Sequence, residues 1–358
     1  MQDIEHLLKE NYRAINTAIE KYVPKQYDKK SLEFTLGKAR FAYSIDAANK
    51  AIAEPVWSLL NRGGKRWRPV LFMLTCDALG GSSRKFLDFV AIVECVHNGT
   101  LMVDDIEDDS DLRRGKPAVH KLFGTDVAIN AGNALYYIPL LTLLKNTTLD
   151  DRTKLRAYEI YTQEMINISF GQATDIAWHK NLVDAERITV DEYVQMCAYK
   201  TGTLARMAAR LGALFAGATP VVQERMGVLA ESIGVAFQIQ DDILNLTATS
   251  GKNQFTNEYV GSDITEGKRT LMVIHTLQKA NKNDKKRLVE LLNMHTRDHD
   301  LIEEAIALLE KYDSFLFSRA FARSLVEKAW NNAKKDISAS DHKKKLEAFA
   351  RFAVERDY

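Results

Sequence analysis

Helical periodicity is the feature that most constrains the fold of this chain. Apolar residues recur at spacings of three and four, as in 70–74 and 89–96, whereas stretches that alternate apolar and polar residues are scarce. The chain has only 6 prolines, and none of them follows Pro220. Because long helices with short connections produce this pattern, the sequence predicts an all-α fold. The long helices are expected over 88–103, 150–178, 189–216 and 223–245.

The composition limits the domain organisation and the partners of the chain. Hydrophobic residues make up 46% of the 358 positions and no linker divides them, which predicts one domain over 1–358. A net charge of +1 gives no global field for nucleic acid or an anionic membrane. Three separated cysteines, Cys76, Cys95 and Cys197, fit buried thiols in a reducing compartment, so a cytoplasmic protein is expected. No window approaches about 18 uninterrupted apolar residues, and no transmembrane segment is expected.

Two acidic groups grow out of apolar, helix-compatible stretches. The first, 104–109, places Asp104 and Asp108 four residues apart, and the second places Asp241 and Asn245 likewise. Residues at this spacing share a helix face. Concentrated carboxylates repel one another unless a cation lies between them, and Mg²⁺ shares such oxygen ligands with substrate phosphates. Two such groups facing each other would hold a diphosphate, whereas the plainer alternative for each is a solvated acidic helix end.

Basic segments supply groups that suit an anion. The glycine pair that opens 63–69 allows the backbone to approach a phosphate closely. Lys65 and Arg68 follow it at a spacing of three, and would share a face if this turn is helical. Arg113 and Arg114 lie one to two turns after the first acidic group. The alternative interpretation of both segments is a basic surface turn.

Polar residues at three further places lie within or beside apolar stretches. Lys200, followed by Thr201, lies within the predicted helix 189–216, where it either binds an anion or snorkels to the surface. His97 lies on the helix before the first acidic group, where a hydrogen-bonded core histidine is the default interpretation. Segment 263–268 carries acidic and basic residues and is also typical of a helix N-cap.

In their order along the chain, these segments resemble the motifs of the trans-isoprenyl diphosphate synthases, most closely the geranylgeranyl diphosphate synthases of the archaeal and eukaryotic kind. The matching strings lie in 63–69, 104–115, 200–202, 237–242 and 263–268. The resemblance implies the isoprenoid synthase fold, a single bundle of long helices around a central cavity. It also implies a homodimeric prenyltransferase that condenses isopentenyl diphosphate with dimethylallyl, geranyl or farnesyl diphosphate. About three Mg²⁺ ions would accompany the bound diphosphate, and the expected product is geranylgeranyl diphosphate.

The resemblance also implies roles for individual residues. Metal ligands are expected at Asp104, Asp105, Asp108, Asp241, Asp242 and Asn245. Contacts to isopentenyl diphosphate are expected from Lys65, Arg68, His97 and Arg114, and contacts to the allylic diphosphate from Arg113, Lys200 and Lys268. Thr201 and Gln238 would place oxygen dipoles beside the developing cation. Residues expected to act in catalysis are therefore Asp104, Asp108, Asp241, Lys200, Thr201 and Gln238.

Two positions depart from the common pattern of the family. Asn245 replaces an aspartate, which removes one negative charge but keeps an oxygen ligand, and this favours the eukaryotic geranylgeranyl branch. Tyr259 stands where many relatives carry a lysine. Either Lys252 substitutes for that lysine, or the allylic site has one cation fewer.

Product length is expected to depend on the helix that precedes the first acidic group. Gly99 and Thr100 stand where many short-chain synthases carry an aromatic residue, and Val96 lies a further turn away. These small side chains would let the prenyl tail pass, and deeper bulk or a neighbouring helix would stop it, with Tyr136 and Tyr137 as candidates. The alternative is that this face packs against another helix.

Other classes of protein remain as alternatives. A longer-chain polyprenyl or farnesyl diphosphate synthase is the nearest of them. A terpene cyclase would normally mix Asn, Ser or Thr with Glu in its second metal motif, and would have no use for Lys65 and Arg68. A non-catalytic synthase subunit would tend to lose the aspartates that this chain keeps.

Overall fold

The computed structural model describes residues 2–184, 187–247 and 261–355, and within them the prediction of an all-α fold is confirmed. The strands of the described residues are two short segments, β1 (Leu112–Arg113) and β2 (Lys116–Pro117), which pair antiparallel with Leu112 opposite Pro117. Lys252 and Tyr259, on which the count of allylic-site cations depends, lie outside the described residues.

The chain forms two compact units. The first unit comprises Gln2–Tyr158 and Leu211–Ala218, and the second comprises Glu159–Arg210 and Thr219–Tyr358. The earlier helices are α1 (Gln2–Tyr22), α2 (Lys29–Leu36), α3 (Ile45–Ala48), α4 (Glu54–Leu60), α5 (Trp67–Ala78), α6 (Val90–Glu107), α7 (Val119–Phe123), α8 (Thr125–Tyr137) and α9 (Leu141–Leu144). The later helices are α10 (Asp151–His179), α11 (Val190–Cys197), α12 (Thr203–Phe215), α13 (Pro220–Thr247), α14 (Ser262–Thr265), α15 (Leu271–Lys279), α16 (Lys282–Asn293), α17 (His299–Lys311), α18 (Ser314–Ala333) and α19 (Asp341–Glu355). That the whole of 1–358 acts as one domain stays a prediction.

Helix α6 is the core helix of the first unit. Val90, Ile92, Val93 and Val96 are fully buried, as the periodicity predicted. A 3₁₀ segment, Ser83–Phe89, leads into α6, which extends past the predicted end to Glu107. The predicted buried helix is therefore confirmed, and it carries the first acidic group at its C-terminal end.

The predicted helix 189–216 is interrupted. It divides into α11, a π-helical turn over Ala198–Gly202, and α12. A π-turn inserts one residue into a helix and changes the direction in which its side chains point. Lys200 and Thr201 lie within this turn, so their orientation could not be derived from a regular helical repeat.

Burial agrees with the remaining expectations for the core. Cys76, Cys95 and Cys197 are buried and free, as predicted. Two helical stretches, Ser83–Glu107 and Thr125–Leu144, are long and apolar enough to cross a membrane, with 61% and 44% of their most apolar window buried inside the protein. Core helices of soluble proteins have the same length and composition, and the expectation of no transmembrane segment stays a prediction.

A buried ion network ties three helices of the second unit together. Glu164 of α10 is fully buried and accepts hydrogen bonds from Arg206 Nη2 at 2.8 Å and Arg210 Nη1 at 3.0 Å. Thr203 Oγ1 donates to the same carboxylate at 2.8 Å, and Arg206 also pairs with Glu231 of α13. Because Arg206 and Thr203 directly follow the π-turn, this network fixes its C-terminal side.

Replacing the central carboxylate tests how much this network contributes to the stability of the fold. We expect Glu164→Ala to lower the free energy of unfolding by about 3–5 kcal/mol, because Arg206 and Arg210 lose the one fully buried carboxylate that they share. Urea denaturation measures the loss. Glu303→Ala is the control, because Glu303 is 66% exposed and its ion pair is with the exposed His299; we expect its change to stay within about 0.5 kcal/mol. Equal changes in the two variants would contradict the assignment.

Candidate active site

The last turn of α6 presents the first acidic group. Asp108 donates its backbone N–H to the carbonyl of Asp104 at 2.9 Å, so these carboxylates lie one helical turn apart, as predicted. Both side chains are half-buried, and Asp105 between them is fully buried. The C-terminal end of a helix disfavours anions and favours cations. The first acidic group therefore stands where a bound cation would be most stabilising.

Arg113 neutralises part of this group. Its Nε donates to Asp105 Oδ1 at 2.6 Å, and its Nη2 lies 3.7 Å from Asp104 Oδ2. Burial raises the pKa of Asp105, and Arg113 opposes that rise. The other carboxylate oxygen of Asp105 is buried and lacks a hydrogen-bond partner among the described residues. Arg113 would thus reach a diphosphate from a position that Asp105 already fixes.

The glycine pair before α5 shapes the backbone of a basic pocket. Gly63 and Gly64 have φ values of 92° and 124°, and the helix begins only at Trp67. Lys65 therefore lies before the helix. It does not share a helix face with Arg68, as it would have done in a helical turn. A Cβ on Gly64 would lie 3.1 Å from Arg114 Nη2, so a larger residue there would crowd the arginine.

Arg68, His97 and Arg114 form the buried part of this pocket. Arg68 Nη1 lies 3.3 Å from His97 Nε2, and Arg114 Nη1 donates to the carbonyl of Gly63 at 2.6 Å. Burial and the neighbouring arginines hold the pKa of His97 well below its usual value, so the neutral ring accepts from Arg68. Burial lowers the pKa of Arg68 and of Arg114 to about 10. Arg68 Nε is buried and has no hydrogen-bond partner among the described residues, so a donor remains for an anion.

In the second unit, two glycines hold the π-turn against neighbouring helices. A Cβ on Gly171 of α10 would lie 2.3 Å from the backbone nitrogen of Lys200, and one on Gly234 of α13 would lie 2.7 Å from Gly202 Cα. Such distances leave no room for any side chain. The backbone of the turn is therefore in direct contact with both helices.

One helical turn beyond each glycine, a polar residue holds a side chain of the turn. Asp175 of α10 pairs with Lys200, its Oδ2 2.5 Å from Nζ. Gln238 of α13 accepts a hydrogen bond from Thr201 Oγ1 at 2.9 Å. Helices α10 and α13 thus each contact the backbone of the π-turn at a glycine, and each hold one of its side chains through an oxygen atom four residues later. Both side chains of the turn are therefore hydrogen-bonded within the protein.

Asp242, next to Asp241 on α13, and Asp263 on α14 are both buried, 6% and 5% exposed. Asp242 accepts hydrogen bonds from Gln238 Nε2 and from the hydroxyl of Tyr193, each at 2.8 Å. Burial and the charge of Asp263 raise the pKa of Asp242. Burial also raises the pKa of Asp263, whereas Lys268 opposes that rise with its Nζ 3.0 Å from Oδ1. The charge of Asp263 thus disfavours the ionised form of Asp242, and a bound cation would oppose that effect.

Asn245 lies one turn beyond Asp241 on α13, as predicted, but its side chain has a structural role. Its Oδ1 accepts the backbone N–H of Asp263 at 3.1 Å, and its Nδ2 donates to Ser262 Oγ at 2.7 Å. Asn245 thus fixes the first turn of α14. As a metal ligand it would have to use the second lone pair of the same oxygen.

The predicted chain-length residues lie in tight helix packing. Gly99 and Val96 are buried, and a Cβ on Gly99 would lie 2.7 Å from the carbonyl oxygen of Gly132 in α8 and 3.0 Å from Tyr136 Cε1. This geometry favours the packed-helix alternative for Gly99. Thr100 is half-buried and donates to the carbonyl of His97 at 2.9 Å.

The two tyrosines proposed as the stop differ in environment. Burial, with the charges of Glu107 and Asp104, raises the pKa of Tyr136, and its ring lies beside Gly99 of α6. Tyr137 is 68% exposed. Tyr136 is therefore the better candidate for a role beside the substrate tail.

The sequence analysis assigned no role to Gly171, Asp175 or Tyr193. Gly171 and Asp175 share one face of α10, and a glycine with a polar residue one turn away on an apolar helix was the available signal. Nothing in the sequence near Tyr193 links it to Asp242, because that contact joins separate helices.

Both acidic groups suit a hard divalent cation. Their donors are carboxylate and amide oxygens, which Mg²⁺ prefers, and the orphaned oxygen of Asp105 is one open donor. Within the described ranges, the residues whose ligand atoms already lie within 4.8 Å of one another are His299, Asp300 and Glu303, all exposed. The predicted ligands of the described residues thus do not surround one point by themselves. This arrangement fits an ion that also binds phosphate oxygens.

Comparisons with known proteins agree with this geometry. The sequence model of the family described as Polyprenyl synthetase matches residues 49–309. A short chain isoprenyl diphosphate synthase of Methanothermobacter thermautotrophicus is 33% identical over 300 residues, covering 84% of this chain and 89% of that protein. A geranylgeranyl diphosphate synthase of Sulfolobus acidocaldarius is 33% identical over 309 residues, covering 85% and 90%.

The fold agrees as well. The crystal structure of the geranylgeranyl pyrophosphate synthetase from Pyrococcus horikoshii matches with a TM-score of 0.84 and 28% identity, and the match covers 99% of both chains. The family match spans most of the chain and includes every motif on which the resemblance was based. The chain belongs to the polyprenyl synthetase family, as its resemblance to the trans-isoprenyl diphosphate synthases predicted.

Proposed function

We propose that this protein is a Mg²⁺-dependent prenyltransferase that lengthens an allylic diphosphate by one isopentenyl unit at a time. The observation that carries the proposal is the placement of Asp104 and Asp108 one turn apart at the C-terminal end of α6. Carboxylates concentrated at that end need a cation. A metal ion that also binds diphosphate supplies it.

The residues divide by the substrate that each would bind. Lys65, Arg68, His97 and Arg114 would hold isopentenyl diphosphate, since Arg68 keeps a buried donor available and His97 is neutral. The allylic diphosphate would be bound by Arg113, Lys200 and Lys268. The expected ligands of Mg²⁺ are Asp104, Asp105, Asp108, Asp241, Asp242 and Asn245.

In the reaction, the allylic carbon–oxygen bond breaks and leaves an allyl cation and free diphosphate. Bound Mg²⁺ would neutralise charge on the departing diphosphate. Lys200 and Lys268 would add to this stabilisation, and the oxygen atoms of Thr201 and Gln238 would face the cation. The double bond of isopentenyl diphosphate then attacks the cation, a proton leaves, and the released diphosphate accepts it.

Geranylgeranyl diphosphate is the proposed product. Support comes from the name of the Sulfolobus relative. Tyr136 is proposed to limit the tail. A homodimer in the cytoplasm, with about three Mg²⁺ ions per site, completes the proposal.

Removing one carboxylate from either acidic group tests the metal assignment. We expect Asp104→Ala and Asp241→Ala each to lower kcat by two or more orders of magnitude, about the loss seen for other preorganised electrostatic groups. Turnover with farnesyl diphosphate and isopentenyl diphosphate, measured over a range of Mg²⁺ concentrations, checks it. Asp300→Ala is the control, because it alters the exposed acidic residues near His299, and it should keep wild-type activity. Wild-type turnover in either test variant would refute the metal assignment.

The division between substrates predicts opposite kinetic effects. Losing one charge-assisted phosphate contact costs about 1.5–3 kcal/mol, which raises KM roughly ten- to hundredfold. We expect Arg68→Ala to raise KM mostly for isopentenyl diphosphate, and Lys200→Gln mostly for the allylic substrate. Steady-state kinetics with each substrate varied in turn measures both. If the two variants change the same KM, the division is wrong.

The backbone contact at Gly171 predicts a loss of activity from a single methyl group. Gly171→Ala would push the π-turn away from α10, because the added carbon would lie 2.3 Å from the nitrogen of Lys200. Displacement of a positioning group by about 1 Å can cost roughly a hundredfold in rate. Gly227→Ala on α13 is the matched control, since the three atoms nearest to its Cβ would be side-chain carbons of Arg210 and Arg206, at 2.9–3.2 Å, and not backbone atoms. Equal kcat values in the two variants would show that the contact does not position Lys200.

A further inference from the structure

An exposed apolar surface lies in the first unit, on the segment from α2 to α3. Its apolar side chains are Phe34, Leu36, Phe41 and Ile45, which are 38%, 68%, 87% and 37% exposed. We name residues 34–45 the 34–45 surface. Single exposed apolar residues are ordinary, but four within 34–45 concentrate exposed apolar surface on one short segment, as interaction sites do.

Contacts of Tyr43 hold the 34–45 surface in place. The hydroxyl of Tyr43 accepts the backbone N–H of Ala39 at 2.7 Å and donates to the carbonyl of Gly37, whose φ of 79° turns the chain. Tyr43 also packs against a small buried cluster that includes Tyr27 and Leu32. The turn between 37 and 43 is therefore closed by its own tyrosine, which keeps Phe41 at the tip instead of folded inward.

The charges of the surface have one sign. Lys38 and Arg40 lie among the apolar residues, and no acidic residue occurs between Glu33 and Asp46. Arg40 lies over the ring of Phe41, with its guanidinium carbon 5.3 Å from the ring centroid. Cations beside exposed aromatic and aliphatic side chains are the arrangement that binds the interface of an anionic bilayer.

We propose that the 34–45 surface docks this protein on membranes that contain anionic lipids. Phe41 and Leu36 enter the boundary between headgroups and acyl chains, while Lys38 and Arg40 contact the lipid phosphates. A second copy of the chain is a poorer occupant, because an isologous contact would bring the cations of both copies together. The surface lies outside residues 49–309, which the family match covers, and the proposal does not depend on the proposed reaction.

Vesicle co-sedimentation tests the docking without any turnover assay. The probes are vesicles of phosphatidylcholine alone and of phosphatidylcholine with phosphatidylglycerol. We expect the full chain to bind the phosphatidylglycerol vesicles, and Phe41→Ser to weaken this binding about tenfold or more. The double variant Lys38→Ala with Arg40→Ala should lose roughly fivefold per charge and most of the salt dependence.

A matched pair of variants separates a specific surface from general hydrophobicity. Leu36 and Leu316 are both 68% exposed, but Leu316 lies on α18, away from the 34–45 surface in sequence. Leu36→Ser should weaken binding several-fold, and Leu316→Ser should leave it unchanged. Melting curves should be the same for all variants, since every altered side chain is at least partly exposed.

Three outcomes would overturn the proposal. The first is a wild-type protein that does not bind phosphatidylglycerol vesicles at low salt. The second is an equal loss of binding in Leu36→Ser and Leu316→Ser. The third is a change in the sedimentation coefficient of Phe41→Ser without vesicles, which would identify the 34–45 surface as an interface between copies of this chain.

Discussion

The contact between two backbones at Gly171 is the constraint on which the second unit depends. A residue with any side chain there would enter the peptide between Tyr199 and Lys200. The π-turn can lie against α10 only because that position is glycine, and Lys200 reaches Asp175 only because the turn lies there. Directly after the turn, the buried network at Glu164 connects α10 to α12 and α13. Packing and polar contacts thus fix the turn from both of its ends.

Charge burial is the second organising force, and it differs between the two units. In the first unit, Arg68 and Arg114 lose part of their basicity to burial, and Arg66 is neutralised by Glu94 at 2.8 Å. In the second unit, burial raises the pKa of the acids Asp242 and Asp263. A bound ion of opposite charge would offset the effect of burial in each case.

The sequence predicted the fold class and the helix that carries Asp104, because apolar periodicity in a buried helix is strong and local. It did not predict the π-turn, since one inserted residue leaves the apolar pattern of 189–216 almost unchanged. The positions of Lys65 and Asn245 depend on backbone turns and caps that periodicity does not report. The partner of Lys200 is 25 residues away in the chain. Contacts of that kind follow from how helices pack and cannot be read from spacing within one helix.

The hydrogen bonds of Asn245 have a consequence for the choice of residue at this position. Gly261 donates its N–H to the carbonyl of Asn245 at 2.9 Å, and Asp263 donates its backbone N–H to the side-chain oxygen at 3.1 Å. The side-chain nitrogen donates to Ser262 Oγ at 2.7 Å. An aspartate could still accept the bond from Asp263, but it has no N–H to donate to Ser262. The amide therefore serves the start of α14 as well as lowering the charge of the second acidic group.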